Sequence, residues 1–374
     1  MLKVLHINTN YINNPLHQNM IDALNEKGID NTVVVPTCDF KNSVITPKDY
    51  VKILECFGKY DRLYYGRKQR KILWAIKHNC DVASFDIIHA YTVFTDGGVA
   101  YRLKREFGKK YVVAVRNTDI NTFFKYMVHL RRWGIEILRN ASAIFFLSRA
   151  YKDELFDKYL SERDKAEIEK KSYIIPNCLD TFWITNKPSM PTDEDIRRIK
   201  EKKLSLCYAG KIDKNKNISA TLTACEILSE RGYDVSFNVV GKIMDKAEYD
   251  KIISHRAVTY HSAMPKEELI NFYRQNDIFV MPSRTESFGM VYVEAMSQAL
   301  PVIYTKGQGF DGHINDGEAG YGVNCDDSVA IADCCEKIAN DYFSFAKNAY
   351  TASCAYNWSD VAAKYQKIYF HIVE

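Results

Sequence analysis

The sequence predicts an α/β protein of two units, each a parallel sheet wrapped by helices, and three observations carry that expectation. Short apolar runs rich in Val, Ile and aromatic residues alternate with helix-length stretches along the chain, the pattern of parallel strands buried on both faces. At 374 residues the chain exceeds what one ordinary core organises. Between residues 181 and 203 the composition turns to Pro188, Pro191 and alternating charges, which marks a linker with a short helix. The expected units are therefore residues 1–180 and 204–357, with residues 358–374 as a terminal helix.

In the first unit, residues 2–8 read as a buried strand, residues 14–27 as a helix closed by Gly28, and residues 31–36 as a second strand. This βαβ start is not a dinucleotide fingerprint, because the loop at residues 9–13 contains no glycine. Residues 86–90, 111–115, 142–148 and 172–175 are the next strands, with helices at residues 95–107, capped by Gly108, and 149–159. The strand at residues 111–115 runs into Arg116-Asn117-Thr118-Asp119, where Arg116 either pairs with Asp119 or reaches a carboxylate or phosphate of a ligand. In the linker, Asp193-Glu194-Asp195 follows Pro191-Thr192, where acidic residues cap the first turn of a helix and no metal is expected.

The second unit opens with a strand at residues 204–209, the loop Gly210-Lys211-Ile212-Asp213-Lys214-Asn215-Lys216-Asn217, and a helix reaching Arg231. A strand at residues 235–241 follows, and residues 258–265 then lead to a helix over residues 266–275. The most informative stretch comes next. Residues 277–281 form a short apolar strand that stops at Pro282. Ser287-Phe288-Gly289 is a turn, and from Met290 the apolar spacing is helical up to Leu300-Pro301. Helix N–H groups at such a strand–loop–helix junction favour an anion, phosphate above all. Glu286 in the loop and Glu294 one turn into the helix are poor phosphate ligands but good acceptors for sugar or ribose hydroxyls, and both can face one pocket. Gly307, Gly309 and Gly312 mark a further loop, Gly317 and Gly320 to Gly322 later turns, and residues 358–372 an amphipathic terminal helix.

Two glutamates with seven residues between them, inside Pro282-Ser283-x-x-Glu286-x-Phe288-Gly289-x-x-x-x-Glu294-Ala295-Met296, resemble the signature of family 4 glycosyltransferases: retaining, nucleotide-sugar-dependent enzymes of the GT-B fold. The resemblance implies two Rossmann-like domains facing a cleft, an acceptor domain and then a donor domain, with the terminal helix crossing back to the first. Gly210-Lys211 and Lys216 match the family's loop in which two cations grip the donor diphosphate. It implies Lys211 and Lys216 on the diphosphate, Glu286 on donor-sugar hydroxyls, Glu294 on the ribose, the amides of Phe288, Gly289 and Met290 around the phosphates, and Gly210 and Ser287 in the same donor site. Two departures stand out. The first loop lacks the family's glycines, and Arg116-Asn117 replace its His-Gly beside the reaction centre. Residues 172–180 resemble the family's strand-Pro-Asn-Gly-Val-Asp segment, with Cys178 in place of Gly.

The resemblance implies transfer of a hexose from a nucleoside diphosphate sugar, UDP favoured, to a glycan or lipid-linked acceptor, with no cofactor or metal. The rivals are a sugar-nucleotide epimerase on the same fold and a non-catalytic nucleotide-sugar-binding subunit. Nucleic acid is not an expected partner. The chain opens directly into a strand and contains no run of 18 apolar residues, so a cytoplasmic protein is expected. The ten cysteines show no Cys-x-x-Cys, which leaves them as reduced packing residues. Residues 1–180 hold 29 Lys and Arg against 21 Asp and Glu, so the first half is the basic one. Much of the excess lies in residues 59–74, where basic and aromatic residues interleave. That segment is either a solvated face or a contact with an anionic membrane surface, which would place the protein at the membrane's inner face.

Overall fold

The computed structural model describes residues 1–13, 15–39 and 46–374. Its contacts divide the chain into two compact units, residues 1–147, 151–178 and 358–374 in the first and residues 148–150 and 179–357 in the second. Among the described residues no helix is long and apolar enough to cross a membrane, and all ten cysteines are unbridged.

The first unit is built on seven parallel strands: β1 (Lys3–Ile7), β2 (Asp30–Thr37), β3 (Val51–Glu55), β4 (Ile87–Ala90), β5 (Lys110–Val115), β6 (Ala143–Phe146) and β7 (Ser172–Ile174). Their order is β3-β2-β1-β4-β5-β6-β7. The chain winds outward from β1 to one edge and then from β4 to the other, so the order reverses between β1 and β4. Successive residues of β5 feed opposite faces: Val113 and Val115 join one core cluster, Val112 and Ala114 the other. The second cluster is closed by the helix Trp358–Val373, whose Val361, Ala362, Tyr365 and Tyr369 pack with Met20, Ile21 and Leu24 of the helix Leu16–Glu26. Asn14, where the sequence starts that helix, lies outside the described residues. The chain's last helix thus belongs to its first unit.

The second unit has six parallel strands: β8 (Lys203–Ala209), β9 (Asp234–Gly241), β10 (Val258–Ser262), β11 (Ile278–Val280), β12 (Val302–Thr305) and β13 (Gly320–Val323). Their order is β10-β9-β8-β11-β12-β13, with the reversal between β8 and β11. Residues 320–322, expected to be a turn, are strand. A Cβ on Gly320 would lie 1.9 Å from the Val302 carbonyl oxygen, so the glycine serves close approach to β12 and not a reversal of direction. A second correction concerns residues 93–97. They form a π-helical turn ahead of the helix Gly98–Phe107, held by Thr92, whose side chain accepts from the Asp96 amide. In the linker, Thr192 caps the helix Asp193–Lys200, and Asp195 completes the capping box.

Buried histidines tie the first sheet together. His6 Nε2 donates to Asn31 Oδ1 at 2.7 Å, which leaves Nδ1 to accept from the Tyr91 hydroxyl at 3.1 Å. His89 Nδ1 lies 2.6 Å from the Tyr369 hydroxyl of the terminal helix. Burial pushes the His6 imidazole down to about 4, only partly offset by Asn31, and holds His89 well below its ordinary value. The unfolded chain therefore takes up a proton near pH 6.5 that folded His6 refuses until about pH 4. The stability this lends is complete above pH 6.5 and lost as pH falls toward 4. We expect the first unit's denaturation midpoint to drop across that window, and His6→Gln to remove about 1.4 kcal/mol per pH unit of the slope. Urea titrations from pH 7 to 4 read both.

Candidate functional site

In an open parallel sheet, the reversal of strand order leaves a crevice outside the strands' carboxyl ends. In the second unit that position is bounded by the loop after β8, residues 210–217, and the loop after β11, residues 281–289. Ile278 and Phe279 of β11 pair with Leu206 and Cys207 of β8, which brings together loops some seventy residues apart. Asn215 fastens them. Its Nδ2 donates to the Thr285 carbonyl at 2.8 Å, its Oδ1 accepts from the Thr285 amide at 3.1 Å, and its carbonyl accepts from the Arg284 amide at 2.8 Å. On the other side of β8 a Cβ on Gly241 would fall 1.6 Å from the Gly210 carbonyl oxygen, so only glycine lets the loop after β9 lie this close.

Within this frame Lys216 Nζ donates to Glu286 Oε2 at 2.5 Å, an ion pair whose side chains are 16% and 11% exposed. Glu286 is fixed from behind: its amide donates to Gln308 Oε1 and its carbonyl accepts from the Gly309 amide at 3.0 Å. A Cβ on Gly309 would sit 2.1 Å from the Ser287 carbonyl oxygen, so the glycine-rich loop after β12 lies directly against the Glu286 loop. Glu286 Oε1 also accepts from the Ser287 amide at 2.9 Å. Gly289 takes φ 80° and starts the helix Met290–Ser297. None of the described residues accepts a hydrogen bond from the amides of Phe288, Gly289 or Met290, although Phe288 is buried. The buried hydroxyls of Ser219 and Ser283 likewise have no partner. Orphaned donors at a helix start, beside a lysine, form a place for an anion with several acceptor oxygens.

Glu294 is held in different company. It is half-buried, none of the described residues hydrogen-bonds its carboxyl, and burial pushes that carboxyl up to about 7, with the charge of Asp180 adding to the shift and Lys266 opposing it. Lys266 itself donates to Asp180 Oδ1 at 3.0 Å. Sequence reasoning named neither Asp180 nor Lys266 as neighbours of Glu294; Asp180 closes the Pro176-Asn177-Cys178-Leu179 segment, the one local signal available. Lys211 is exposed, and its backbone carbonyl accepts from the Tyr208 hydroxyl at 2.6 Å. The second unit therefore joins Lys216 directly to Glu286, while Lys211 and Glu294 lie outside that ion pair.

Arg116 belongs to the first unit. Its amide donates to Asp119 Oδ2 at 2.9 Å and its Nε donates to the Tyr91 carbonyl at 3.2 Å. Asp119 also accepts from the amides of Val93 and Phe94, so this carboxylate staples the π-helical turn to the loop, and burial raises it to about 6 despite those donors. At the β1/β4 reversal a cavity of about 740 Å³ is lined by Thr9, Asn10, Thr92, Thr95, Thr118 and Lys68 among others. Asp96, pushed up to about 7 by burial, accepts from the Thr9 amide and the Thr92 hydroxyl, and the nearby buried Asn8 Nδ2 has no partner among the described residues.

Residues 18–181 match the family described as Glycosyltransferase Family 4, and residues 189–357 match Glycosyl transferases group 1. Among curated relatives, a capsular polysaccharide biosynthesis glycosyltransferase, CapM of Staphylococcus aureus, is 26% identical over 239 residues, 62% of this chain and 61% of that protein. The chain spans about half the length of the curated relatives it matches. Of solved structures, a sucrose-phosphate synthase from Thermosynechococcus elongatus superimposes with TM-score 0.75 at 17% identity, over 100% of this chain and 99% of its own. HepE of Anabaena in complex with UDP-glucose gives 0.65 at 16% identity, over 98% and 99%. These likenesses show the GT-B fold.

The ion pair sets a stability test. Lys216→Met strands a mostly buried carboxylate and is expected to lower stability by about 2 kcal/mol, a figure reduced from that of a fully buried pair by residual solvent screening. Adding Glu286→Gln removes the stranded charge and should recover most of the loss; a double-mutant cycle on the second unit's unfolding midpoint measures it.

Proposed function

Because the chain belongs to the family 4-type GT-B glycosyltransferases, we propose that it transfers a hexose from a nucleoside diphosphate sugar to an acceptor hydroxyl with retention at the anomeric carbon. The observation that carries this reading is the Lys216–Glu286 ion pair at the strand-order reversal of the second sheet, beside unpartnered helix-start amides. A lone anion would compete with Glu286 for Lys216. A ligand that carries a diphosphate and, one bond away, a hydroxylated sugar satisfies both partners when they separate.

The diphosphate takes Lys216, Lys211 and the amides of Phe288, Gly289 and Met290, while Glu286 turns to the sugar hydroxyls. As the bond between the anomeric carbon and the phosphate oxygen breaks, negative charge grows on the leaving diphosphate. Fixed cations and N–H dipoles aimed there stabilise the transition state more than the ground state. Two lysines and a helix start supply that charge without a metal. Glu294, titrating near 7, both accepts from and donates to vicinal hydroxyls and so suits the ribose. The departing phosphate takes the acceptor's proton, so no side-chain base is assigned. Arg116 stands where the family has His, and its terminal nitrogens make no hydrogen bond to any described residue.

UDP is the favoured nucleotide, supported by the HepE complex, and a lipid-linked or cell-surface polysaccharide precursor is the favoured acceptor, supported by the CapM match. The threonine-rich cavity of the first unit is the acceptor's place. The reaction is assigned to the cytoplasm.

Two variants test the roles. Glu286→Ala should lower transfer at least a thousandfold while nucleoside diphosphate binding persists or tightens a few-fold, since the competitor for Lys216 is gone. Lys216→Ala should weaken nucleoside diphosphate binding about tenfold to a hundredfold. Calorimetry and a labelled-sugar assay with lipid-linked acceptors read both. Glycoside product supports transfer, an altered sugar nucleotide means epimerisation, and saturable binding with neither means a binding subunit.

A further inference from the structure

We propose that Arg116 binds a carboxylate, so that the acceptor taken by the first unit is an acidic sugar, a uronic acid residue. The inference deepens the acceptor assignment made above and rests on it.

The loop after β5 holds Arg116 firmly. Its amide donates to Asp119 Oδ2 at 2.9 Å, Asp119 also accepts from the amides of Val93 and Phe94, and Asn117 Nδ2 donates to the Tyr151 hydroxyl at 2.6 Å. The Arg116 side chain reaches the end of β4, where Nε donates to the Tyr91 carbonyl at 3.2 Å. That bond orients the guanidinium and leaves its two terminal nitrogens without a partner among the described residues. The residue is half-buried, and none of the described carboxylates forms an ion pair with it.

An unpaired cation in such a place is unfavourable, and arginine cannot relieve this by losing its proton. The histidines around it can. Burial, with the Arg116 charge adding to it, pushes His17 down to about 3, and burial with the charges of His6 and Arg116 holds His89 well below its ordinary value. One permanent positive charge therefore remains among neutral rings. The free edge of a guanidinium matches the two oxygens of a carboxylate through parallel N–H···O bonds. Phosphate fits worse: it brings close to two charges and three oxygens to satisfy. Asp119, raised by burial only to about 6, stays mostly ionised at neutral pH and repels a dianion more than a monoanion.

The surroundings suit the rest of a sugar. Thr92, directly after Tyr91, and Thr118, two residues beyond Arg116, line the cavity of about 740 Å³ together with Thr9, Asn10 and Thr95. Their hydroxyls and amide both donate and accept, as sugar hydroxyls require. The lining lysines do not take over the role of Arg116. Lys68 lies over the Phe57 ring at 4.8 Å with its charge acting on Asp96, and Lys59 is exposed.

The test titrates the full chain, without nucleotide, with methyl β-glucuronide, with methyl β-glucoside, which carries a hydroxymethyl group in place of the carboxylate, and with the 6-phosphate of that glucoside. Saturation-transfer NMR reads the affinities. We expect the glucuronide to bind about tenfold more tightly than the glucoside and more tightly than the phosphate. Arg116→Gln should abolish the preference while the melting temperature holds or rises, because an uncompensated charge is removed. Arg116→Lys, which keeps the charge but loses the planar fork, should retain only part of it. A glucuronide that binds no better than the glucoside, a preference that survives Arg116→Gln, or tighter binding of the phosphate would overturn the proposal. With no donor present, none of these results bears on the transfer reading, which the labelled-sugar assay decides.

Discussion

The pairing of β11 with β8 is the constraint on which the candidate site depends. Only a strand inserted there, on the far side of β8 from β9, carries the Glu286 loop to the Lys216 loop, and the chain spans some seventy residues to achieve it. The ion pair at 2.5 Å is then held by contacts to backbone: Asn215 locks the two loops, while Gln308 and Gly309 support Glu286 from the third. Such a pair adds little net stability, because desolvating two charges offsets most of their attraction. What it provides is placement. An acid and a cation stand preorganised beside orphaned helix-start amides, and a ligand that separates them meets no reorganisation of the loops.

The first unit repeats this topology with different chemistry. Its strand order also reverses, between β1 and β4, and a cavity opens there. There the polar groups are threonines, amides and buried carboxyls rather than a lysine against a glutamate. Asp119 accepts from three backbone amides, and burial raises the Asp96 carboxyl to about 7. The two histidines in this sheet's core each have a polar partner, His6 with Asn31 and His89 with Tyr369, and the second pair draws the terminal helix into the unit.

Much of this was legible in the sequence because parallel strands buried on both faces are continuous apolar runs, and β1, β2, β4 to β6, β8, β9 and β11 all read that way. Two of the four edge strands, β3 and β13, did not. β3 is half-exposed, so its signal is weak, and β13 carries two glycines whose role is close packing against neighbours. Glu286 and Lys216 were found through local patterns around each. The surroundings of Glu294 were not, since Asp180, Lys266 and Glu294 come from three distant segments and nothing local in any of them announces the others. Asn215 was invisible for the same reason: an asparagine in a loop shows its partners only after the sheet has formed.

The central claim, that Lys216 and Glu286 exchange their ion pair for one molecule of activated sugar, is tested most directly by a crystal structure of the protein soaked with a nucleoside diphosphate hexose. The account predicts diphosphate oxygens within hydrogen-bond reach of Lys216 Nζ and of the Gly289 and Met290 amides, with Glu286 rotated onto sugar hydroxyls. A ligand bound elsewhere, with Lys216 and Glu286 still joined, would contradict it.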